Sequence, residues 1–245
     1  MEEINNQKIT RHGNFISKVK IDTEEIKKKA LPRIDAQIKL NINKVIFEEI
    51  KAAFIDTNID QLNLINHFEG DKKFYLSTQE FNWLSRNSED KWIQYLLYRY
   101  NFKTLPLKKI VTDFPQYLLI EPASLCNLRC VMCFQVDKSF SSNKKMMGFM
   151  PFEMFENIIE EAKQNNCNAI TLASRGEPTL HKQFDKITRL IEESKIIDCK
   201  LNTNATVLNE KKINEILSAK FSEVVFSVDA GTKETYESIR VKGKW

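Results

Sequence analysis

The chain has 245 residues, enough for one large domain or two small ones. Hydrophobic residues make up 42% of it and charged residues 29%, and its small net charge of +4 is too evenly spread to favour a nucleic-acid partner. No apolar run resembles a signal peptide or is long enough to span a bilayer, so we expect a cytoplasmic protein with reduced thiols and no membrane partner.

The front part of the chain is predicted to be mostly helical. A short helix is expected over residues 23–29, ending before Pro32. Apolar residues spaced three and four apart predict an amphipathic helix over residues 34–54. The capping-box pattern Ser-Thr-Gln-Glu at residues 77–80 predicts the start of another helix, and a further one is predicted over residues 89–100. No catalytic motif lies in these segments, so the sequence does not indicate their role.

From residue 117 onward the pattern changes to strands that alternate with helices. Strands are predicted over residues 117–121, 169–173, 198–202 and 223–228, and helices over residues 151–164, 183–193, 209–219 and 232–240. Four consecutive strand–helix units predict parallel strands joined by right-handed crossovers. The expected fold class is therefore α/β, a partial (β/α) barrel of four parallel strand–helix units preceded by a mostly helical N-terminal region. The expected domains are residues 1–113 and 114–245.

Three cysteines lie in one short run directly after the first predicted strand. Their spacing is C-x3-C-x2-C, at positions Cys126, Cys130 and Cys133. Iron–sulfur clusters are held by cysteine thiolates, usually four of them. Three clustered thiolates therefore predict a cluster in which one iron is left open to bind a small molecule.

Two other interpretations of the cysteine run stay open. A structural zinc site requires four ligands, and Cys167, Cys199 or His181 would have to supply the fourth from far along the chain. The run is also compatible with chance clustering of buried thiols. Outside the run, we expect Cys167 and Cys199 to be ordinary buried thiols.

The segment from Glu121 to Cys133 resembles the signature of the radical S-adenosylmethionine (SAM) superfamily. The resemblance implies that the three cysteines hold a 4Fe–4S cluster and that the amino and carboxylate groups of SAM chelate the open iron. It further implies that an electron cleaves SAM to methionine and a 5′-deoxyadenosyl radical, which abstracts hydrogen from a substrate. Met132 stands where the family prefers an aromatic residue and still supplies a soft apolar contact to the cofactor.

The second predicted strand is followed by Gly176-Glu177-Pro178, which resembles the Gly-Glu-Pro motif of the same family. The resemblance implies that this motif receives the ammonium group of SAM. Gly176 lets the backbone approach a ligand closely, and Glu177 offers an acceptor. After the third strand, Asn204 lies in Thr-Asn-Ala where the family often has Thr-Asn-Gly, and it is implied to bind the methionyl or ribose part of SAM.

The stretch over residues 226–240 resembles members of the family that carry a cysteine-rich SPASM extension. By that resemblance Ser227 approaches the ribose or carboxylate of SAM, and Arg240 pairs with the carboxylate through its planar guanidinium. Two other interpretations remain open. Arg240 can instead form a surface salt bridge with Glu237, and Asp229 can serve as a cap for the loop that follows it.

The resemblance covers residues 114–245, and this chain has four strand–helix units where family cores usually have six. We therefore expect the parent protein to be longer. The expected function is that of a radical SAM enzyme, or a fragment of one, that modifies an unknown peptide or carbohydrate substrate with flavodoxin or ferredoxin as electron donor. Two alternatives remain open: an inactive truncated cluster-binding protein and a zinc-stabilised interaction module.

Overall fold

The structure is a computed structural model that describes residues 21–56 and 74–245. The chain divides into two compact units, a front unit that ends at Val111 and an α/β unit that begins at Thr112. The described helices of the front unit are α1 (Thr23–Lys39), α2 (Lys44–Asp56), α3 (Thr78–Arg86) and α4 (Trp92–Lys108). No helix in the described ranges is both long and apolar enough to cross a membrane.

The predicted end of the first helix is wrong, because α1 continues through Pro32. The proline ring removes one backbone donor from the helix, which disfavours this position. Packing outweighs that cost, since Ile26, Ala30 and Ile34 recur on one face of α1 and are all buried. Tertiary burial thus sets the length of this helix.

The amphipathic helix predicted over residues 34–54 is divided between α1 and α2. Asn41 and Asn43 both have positive φ, at 57° and 48°, which ends one helix and redirects the chain into the next. Asparagine tolerates this left-handed conformation better than most residues. The apolar period predicted helix correctly on both sides of the break but did not reveal the break itself.

The capping box at the start of α3 is confirmed, and its glutamate has further partners. Glu80 is fully buried, and its carboxylate accepts a hydrogen bond from the Ser77 backbone N–H at 2.8 Å. Arg99 Nε lies 2.8 Å and Lys103 Nζ 2.9 Å from Glu80 Oε1. Burial alone raises the pKa of Glu80, but Lys103, Arg99 and Ser77 outweigh it and lower the pKa to about 2. A local cap is thereby also an ion pair that joins α3 to α4.

Four parallel strands form the sheet of the α/β unit, and they lie in the order in which they occur along the chain. They are β1 (Tyr117–Ile120), β2 (Ala169–Leu172), β3 (Asp198–Thr203) and β4 (Glu223–Phe226). The helices are α5 (Lys138–Ser141), α6 (Phe152–Gln164), α7 (Phe184–Ser194), α8 (Glu210–Ser218) and α9 (Lys233–Ile239). An order that never reverses is that of a (β/α) barrel, so the predicted fold class is confirmed.

The core of this unit lies on one face of the sheet. Ile120, Leu172 and Leu201 are paired across three strands in one row, and all three belong to the core. Phe155 of α6 and Ile187 of α7 are buried against the same face. Because side chains alternate along a strand, the opposite face becomes the inner side of the partial barrel. The loops that follow the strands meet at the carboxyl edge of this sheet, where parallel barrels place their chemistry.

Candidate cofactor site

The candidate site is built from three segments that follow strands and one that follows a helix. They are the cysteine loop (residues 121–133), the Gly176 turn (residues 174–178), the segment after β3 (residues 204–206) and the segment after α9 (residues 240–241). Within the cysteine loop, Cys130 is buried, while Cys126 and Cys133 are partly exposed. The sequence placed each segment after a strand or helix, and the structure brings all four into hydrogen-bonded contact.

The Gly176 turn lies directly against the cysteine loop. A methyl group at Gly176 would overlap the carbonyl oxygen of Ala123 and lie 2.7 Å from that of Leu125. The next backbone N–H, of Glu177, donates to the carbonyl of Leu125 at 2.9 Å. Glycine is therefore required here by close backbone approach. The contact it permits ties the end of β2 to the loop that carries the cysteines.

Gln135 is a site residue that the sequence did not reveal. It lies two positions after the third cysteine, is buried, and donates through Nε2 to the carbonyl of Ser124 at 2.8 Å and to the carbonyl of Arg175. These two carbonyls belong to the cysteine loop and to the Gly176 turn, so one side chain holds both. The only available signal was a lone amide among polar loop residues, which by itself indicates no site.

The Glu177 carboxylate is buried, and the groups in the described ranges that donate hydrogen bonds to it are all neutral. Its Oε1 accepts from the Thr179 backbone N–H at 3.1 Å, from the Thr179 hydroxyl, and from the Thr203 hydroxyl at 2.7 Å. Its Oε2 accepts from the Asn204 backbone N–H at 2.7 Å. Over residues 21–56 and 74–245, no lysine, arginine or histidine nitrogen lies within ion-pair distance of it. The carboxylate joins the ends of β2 and β3 and has no cation paired with it among these described residues.

The side chain of Asn204 points to the cysteine loop. Its Nδ2 lies 3.6 Å from the Cys126 sulfur and 3.0 Å from Asn127 Oδ1. Its Oδ1 accepts from the Thr206 backbone N–H at 3.0 Å and from the hydroxyl of the same residue at 2.7 Å. The resemblance implied a contact with SAM, and in this structure both ends of the amide bond to protein groups.

Arg240 also points to a cysteine. Its Nη1 lies 3.4 Å from the Cys130 sulfur, and its Nη2 forms an ion pair with Asp229. Backbone pairing holds this segment in place, since the N–H groups of residues 129 and 131 donate to the carbonyls of residues 241 and 239 at 2.9 and 3.0 Å. The alternative of a surface salt bridge with Glu237 is wrong, because the partner is Asp229 and the Arg240 side chain is mostly buried.

The other predicted contacts lie around the same loops. Ser227 is partly buried after β4, and its backbone N–H donates to the carbonyl of Thr203 at 2.9 Å. Pro178 is buried and begins a short 3₁₀ turn after Glu177. Met132 is exposed, with its thioether free of the core. All three therefore lie at the same end of the sheet as the cysteines.

The cysteine environment suits thiolate ligands of a cluster. Side-chain N–H donors approach the sulfurs of Cys126 and Cys130, as described for Asn204 and Arg240. Burial raises the pKa of the Cys126 thiol, so in the metal-free chain that sulfur keeps its proton until a metal displaces it. Within the described part of the chain, no three His, Cys, Asp or Glu side chains converge on a position for a single metal ion. A cluster binds each thiolate through a separate iron and does not require such convergence.

The residues considered as a fourth zinc ligand are engaged elsewhere. His181 Nε2 lies 2.8 Å from the carbonyl of Met150, and its Nδ1 accepts from the Gln183 backbone N–H at 3.1 Å. Cys167 and Cys199 are buried, as predicted, and burial raises the pKa of Cys199 to about 12. Both histidine nitrogens are thus occupied, and both thiols lie in the core, where they stay protonated.

Three residues in the loops of the site have left-handed backbone although none of them is glycine. Ser174, Ala205 and Asp229 follow β2, β3 and β4, with φ of 109°, 63° and 64°. A side chain at positive φ costs about 1–2 kcal/mol relative to a relaxed backbone. Such conformations concentrate at functional sites. Ala205 stands where the family often has glycine, and its φ gives the physical reason for that preference.

Comparison with protein families agrees with the family resemblance found in the sequence. A sequence model described as the Radical SAM superfamily matches residues 120–245. The chain belongs to the radical SAM superfamily. Radical SAM enzymes use a 4Fe–4S cluster and SAM, and these are the cofactors that the resemblance implied.

Several curated proteins resemble part of the chain. The tungsten-containing aldehyde ferredoxin oxidoreductase cofactor-modifying protein of Pyrococcus furiosus is 30% identical over 115 residues, which are 46% of this chain and 31% of that protein. A cysteine-type anaerobic sulfatase-maturating enzyme of Clostridium novyi is 33% identical over 135 residues, 51% of this chain and 35% of the enzyme. The chain spans about a third of the length of these curated relatives.

Solved structures give weaker matches. SuiB of Streptococcus suis bound to its precursor peptide SuiA is 19% identical with a TM-score of 0.45, covering 89% of this chain and 43% of SuiB. BtrN in complex with AdoMet and 2-DOIA is 21% identical with a TM-score of 0.43, covering 53% of this chain and 52% of BtrN. The fold assignment therefore depends on the parallel sheet and on the family match.

Proposed function

We propose that the α/β unit is the cofactor-binding core of a radical SAM enzyme. Cys126, Cys130 and Cys133 hold a 4Fe–4S cluster with one open iron, and SAM is cleaved reductively to methionine and a 5′-deoxyadenosyl radical. When bound, the cluster supplies the electron for this cleavage. The observation that carries the proposal is the direct contact between the cysteine loop and the Gly176 turn. This contact brings the three cysteines, the proposed iron ligands, beside a turn whose buried carboxylate has no paired cation among the described residues.

The Gly176 turn and its neighbours are proposed to bind SAM. The charge of Glu177 attracts the ammonium group, because a buried carboxylate without a paired cation favours a cationic ligand. Gly176 and Pro178 fix the backbone of the turn that meets this ligand. Ser227 is proposed to approach the ribose or carboxylate, and Met132 to contact the apolar part of the cofactor.

Anaerobic reconstitution with iron and sulfide tests the proposal. The reconstituted chain is expected to hold about four irons, because one cluster has four iron sites. Dithionite is expected to reduce this cluster, and the reduced protein is expected to release 5′-deoxyadenosine from SAM. Cys130→Ala removes one of three thiolates and is expected to abolish stable cluster retention. Cys167→Ala is the matched control, since that thiol lies buried away from the loop and its loss leaves the iron content unchanged.

Other outcomes would contradict the proposal in distinct ways. A cluster that forms without SAM cleavage identifies the chain as an inactive cluster-binding protein. One tightly held zinc and no cluster identifies a zinc-stabilised interaction module. Full iron content and SAM cleavage in Cys130→Ala would show that the ligand assignment is wrong.

For the reaction itself we propose hydrogen abstraction from a peptide or carbohydrate substrate. The similarity to an enzyme named for maturing sulfatases favours a peptide. Candidate substrates are tested by the rise in 5′-deoxyadenosine above the substrate-free rate, with a flavodoxin or ferredoxin and its reductase replacing dithionite. An unchanged rate with peptides and a raised rate with sugars would assign the substrate to carbohydrates. A cluster with an open iron and free thiols fits a reducing cytoplasm.

A further inference from the structure

We infer that Arg240 and Asn204 raise the reduction potential of the cluster by donating hydrogen bonds to its cysteine sulfurs, and that Asp229 restrains the effect of Arg240. The inference depends on the proposed function, because it needs a cluster on the three cysteines. It differs from what the family resemblance implied, which was that both side chains bind SAM.

The geometry of Arg240 puts a positive charge next to one sulfur ligand. Nη1 lies 3.4 Å from the Cys130 sulfur, and the Arg240 side chain is only 12% exposed. The flanking backbone is bonded to the cysteine loop on both sides, which fixes the main chain of Arg240 beside that loop, and the ion pair with Asp229 holds the guanidinium. Burial limits screening by salt, and the interaction with the cluster is therefore stronger than that of a surface charge.

Asn204 provides a weaker, neutral contact to a second sulfur. Its Nδ2 is 3.6 Å from the Cys126 sulfur, and Cys126 also accepts from the Leu128 backbone N–H at 3.4 Å. The amide cannot be reversed without loss, because its oxygen accepts two hydrogen bonds from Thr206. The N–H group is thus fixed toward the sulfur.

The sign of the effect follows from the charge that reduction adds. The reduced cluster carries one more electron than the oxidised one, and that charge is shared with the sulfurs. A nearby cation and N–H dipoles stabilise the more negative state, so they raise the reduction potential. The Asp229 carboxylate pairs with Nη2, whereas Cys130 is met by Nη1, and its negative charge opposes part of this stabilisation. Removing Arg240 and removing the Asp229 charge must therefore shift the potential in opposite directions.

The test is a dithionite titration of the reconstituted chain in the absence of SAM. The electron paramagnetic resonance signal of the reduced cluster measures how much of the cluster is reduced at each potential. At the wild-type midpoint, Arg240→Gln is expected to lower the reduced-to-oxidised ratio about tenfold, which corresponds to about 59 mV for one electron. Asn204→Ala is expected to lower it less, and Arg240→Lys to restore part of the loss. Asp229→Asn is expected to raise it.

Two surface variants on the same helix control for net charge. Lys233→Gln removes a positive charge and Glu234→Gln a negative one, both from exposed positions, and neither is expected to move the potential. Equal potentials in Arg240→Gln, Asp229→Asn and the wild type would overturn the inference, as would a shift of the same sign in the first two. If the wild-type chain holds no cluster, the proposed function itself fails, and iron analysis before the titration distinguishes that case.

Discussion

Among the residues that the structure describes, each unit contains one buried glutamate that joins two elements, and the two carboxylates have different partners. Glu80 of the front unit is fully buried and paired with Arg99 and Lys103. Glu177 of the α/β unit is 2% exposed, yet its donors are two hydroxyls and two backbone N–H groups. The first carboxylate is satisfied in both charge and hydrogen bonds, which is typical of a structural role. The second is satisfied only in hydrogen bonds, so its charge remains available to a cationic ligand.

The largest expected effect breaks the ion-paired side of this comparison. Glu80→Gln leaves Arg99 and Lys103 buried without a carboxylate, and removal of one partner of a buried ion pair costs about 3–5 kcal/mol. Urea unfolding of the whole chain measures the loss. Glu89→Gln is the control, because Glu89 pairs with Arg33 and Lys29 at the surface and is expected to cost at most about 1 kcal/mol. Equal losses in the two variants would contradict the assignment.

The same pair predicts a pH dependence. The folded-state pKa of Glu80 is about 2 and its ordinary value 4.5, so its stabilising contribution is complete above pH 4.5 and is lost as the pH falls toward 2. The free energy of unfolding is expected to decrease over that window in the wild-type chain. The free energy of unfolding of the Glu80→Gln variant is expected to decrease less over the same window. Unfolding of both proteins is followed by circular dichroism. Parallel pH profiles of the two proteins would show that the ion pair of Glu80 does not cause the pH dependence.

Gly176→Ala tests whether the Glu177 side of the comparison depends on the contact between turn and cysteine loop. The added methyl group overlaps the carbonyl oxygen of Ala123, so the turn must shift. Overpacking of this kind typically costs about 1–3 kcal/mol, and SAM binding is expected to fall with it. Gly148→Ala is the control, because nothing lies within 4 Å of the position of its added methyl group. Wild-type SAM affinity in Gly176→Ala would contradict the role of the turn.

Glu177→Gln removes the charge while keeping the shape of the side chain. A hydrogen bond to a charged group contributes about 1.5–3 kcal/mol, and the variant is expected to lose slightly less than that, about 1.4 kcal/mol. The dissociation constant for SAM is therefore expected to rise about tenfold. The cluster is expected to assemble as before, as judged by iron content. Isothermal titration calorimetry on the reconstituted protein measures the change, with the exposed Glu153→Gln as control. Equal affinities would mean that Glu177 acts only as a structural link, like Glu80.

The smallest expected effect concerns the backbone next to Asn204, whose N–H bonds to Glu177. Ala205 has a φ of 63°, and glycine adopts that conformation without the cost of a side chain. Relief of this strain in Ala205→Gly is expected to raise the free energy of unfolding by about 1 kcal/mol. Glycine also makes the unfolded chain more flexible, which cancels part of this gain. Ala53→Gly, in the middle of α2, is expected to lower it. A loss in both variants would show that the left-handed conformation is not strained.

The sequence predicted the parts of the site that local patterns encode. Apolar runs gave all four strands to within two residues, and the helices predicted from residues 209 and 232 begin next to Asn209 and Thr232, whose side chains cap α8 and α9. The motifs then followed from their positions after the strands. These features depend on neighbours in the chain, and a single sequence therefore contains them.

Contacts between distant segments were not predictable in the same way. Gln135 bonds to Arg175, and Arg240 to Asp229 and Cys130, through side chains whose direction no periodicity specifies. The continuation of α1 through Pro32 has the same origin, since burial of one helix face outweighed the local preference of proline. Sequence patterns located the loops of the site, and only the fold showed which groups inside them touch.

The pairing of the cysteine loop with residues 239–241 has a consequence for biogenesis. Cys130 and Arg240 are 110 positions apart, so the ribosome releases the cysteines long before the segment that frames them. Until α9 has emerged and docked, the N–H groups of residues 129 and 131 lack their final partners, and Cys130 lacks its contact with Arg240. The cysteine loop therefore reaches its final conformation only after residue 241 has been synthesised.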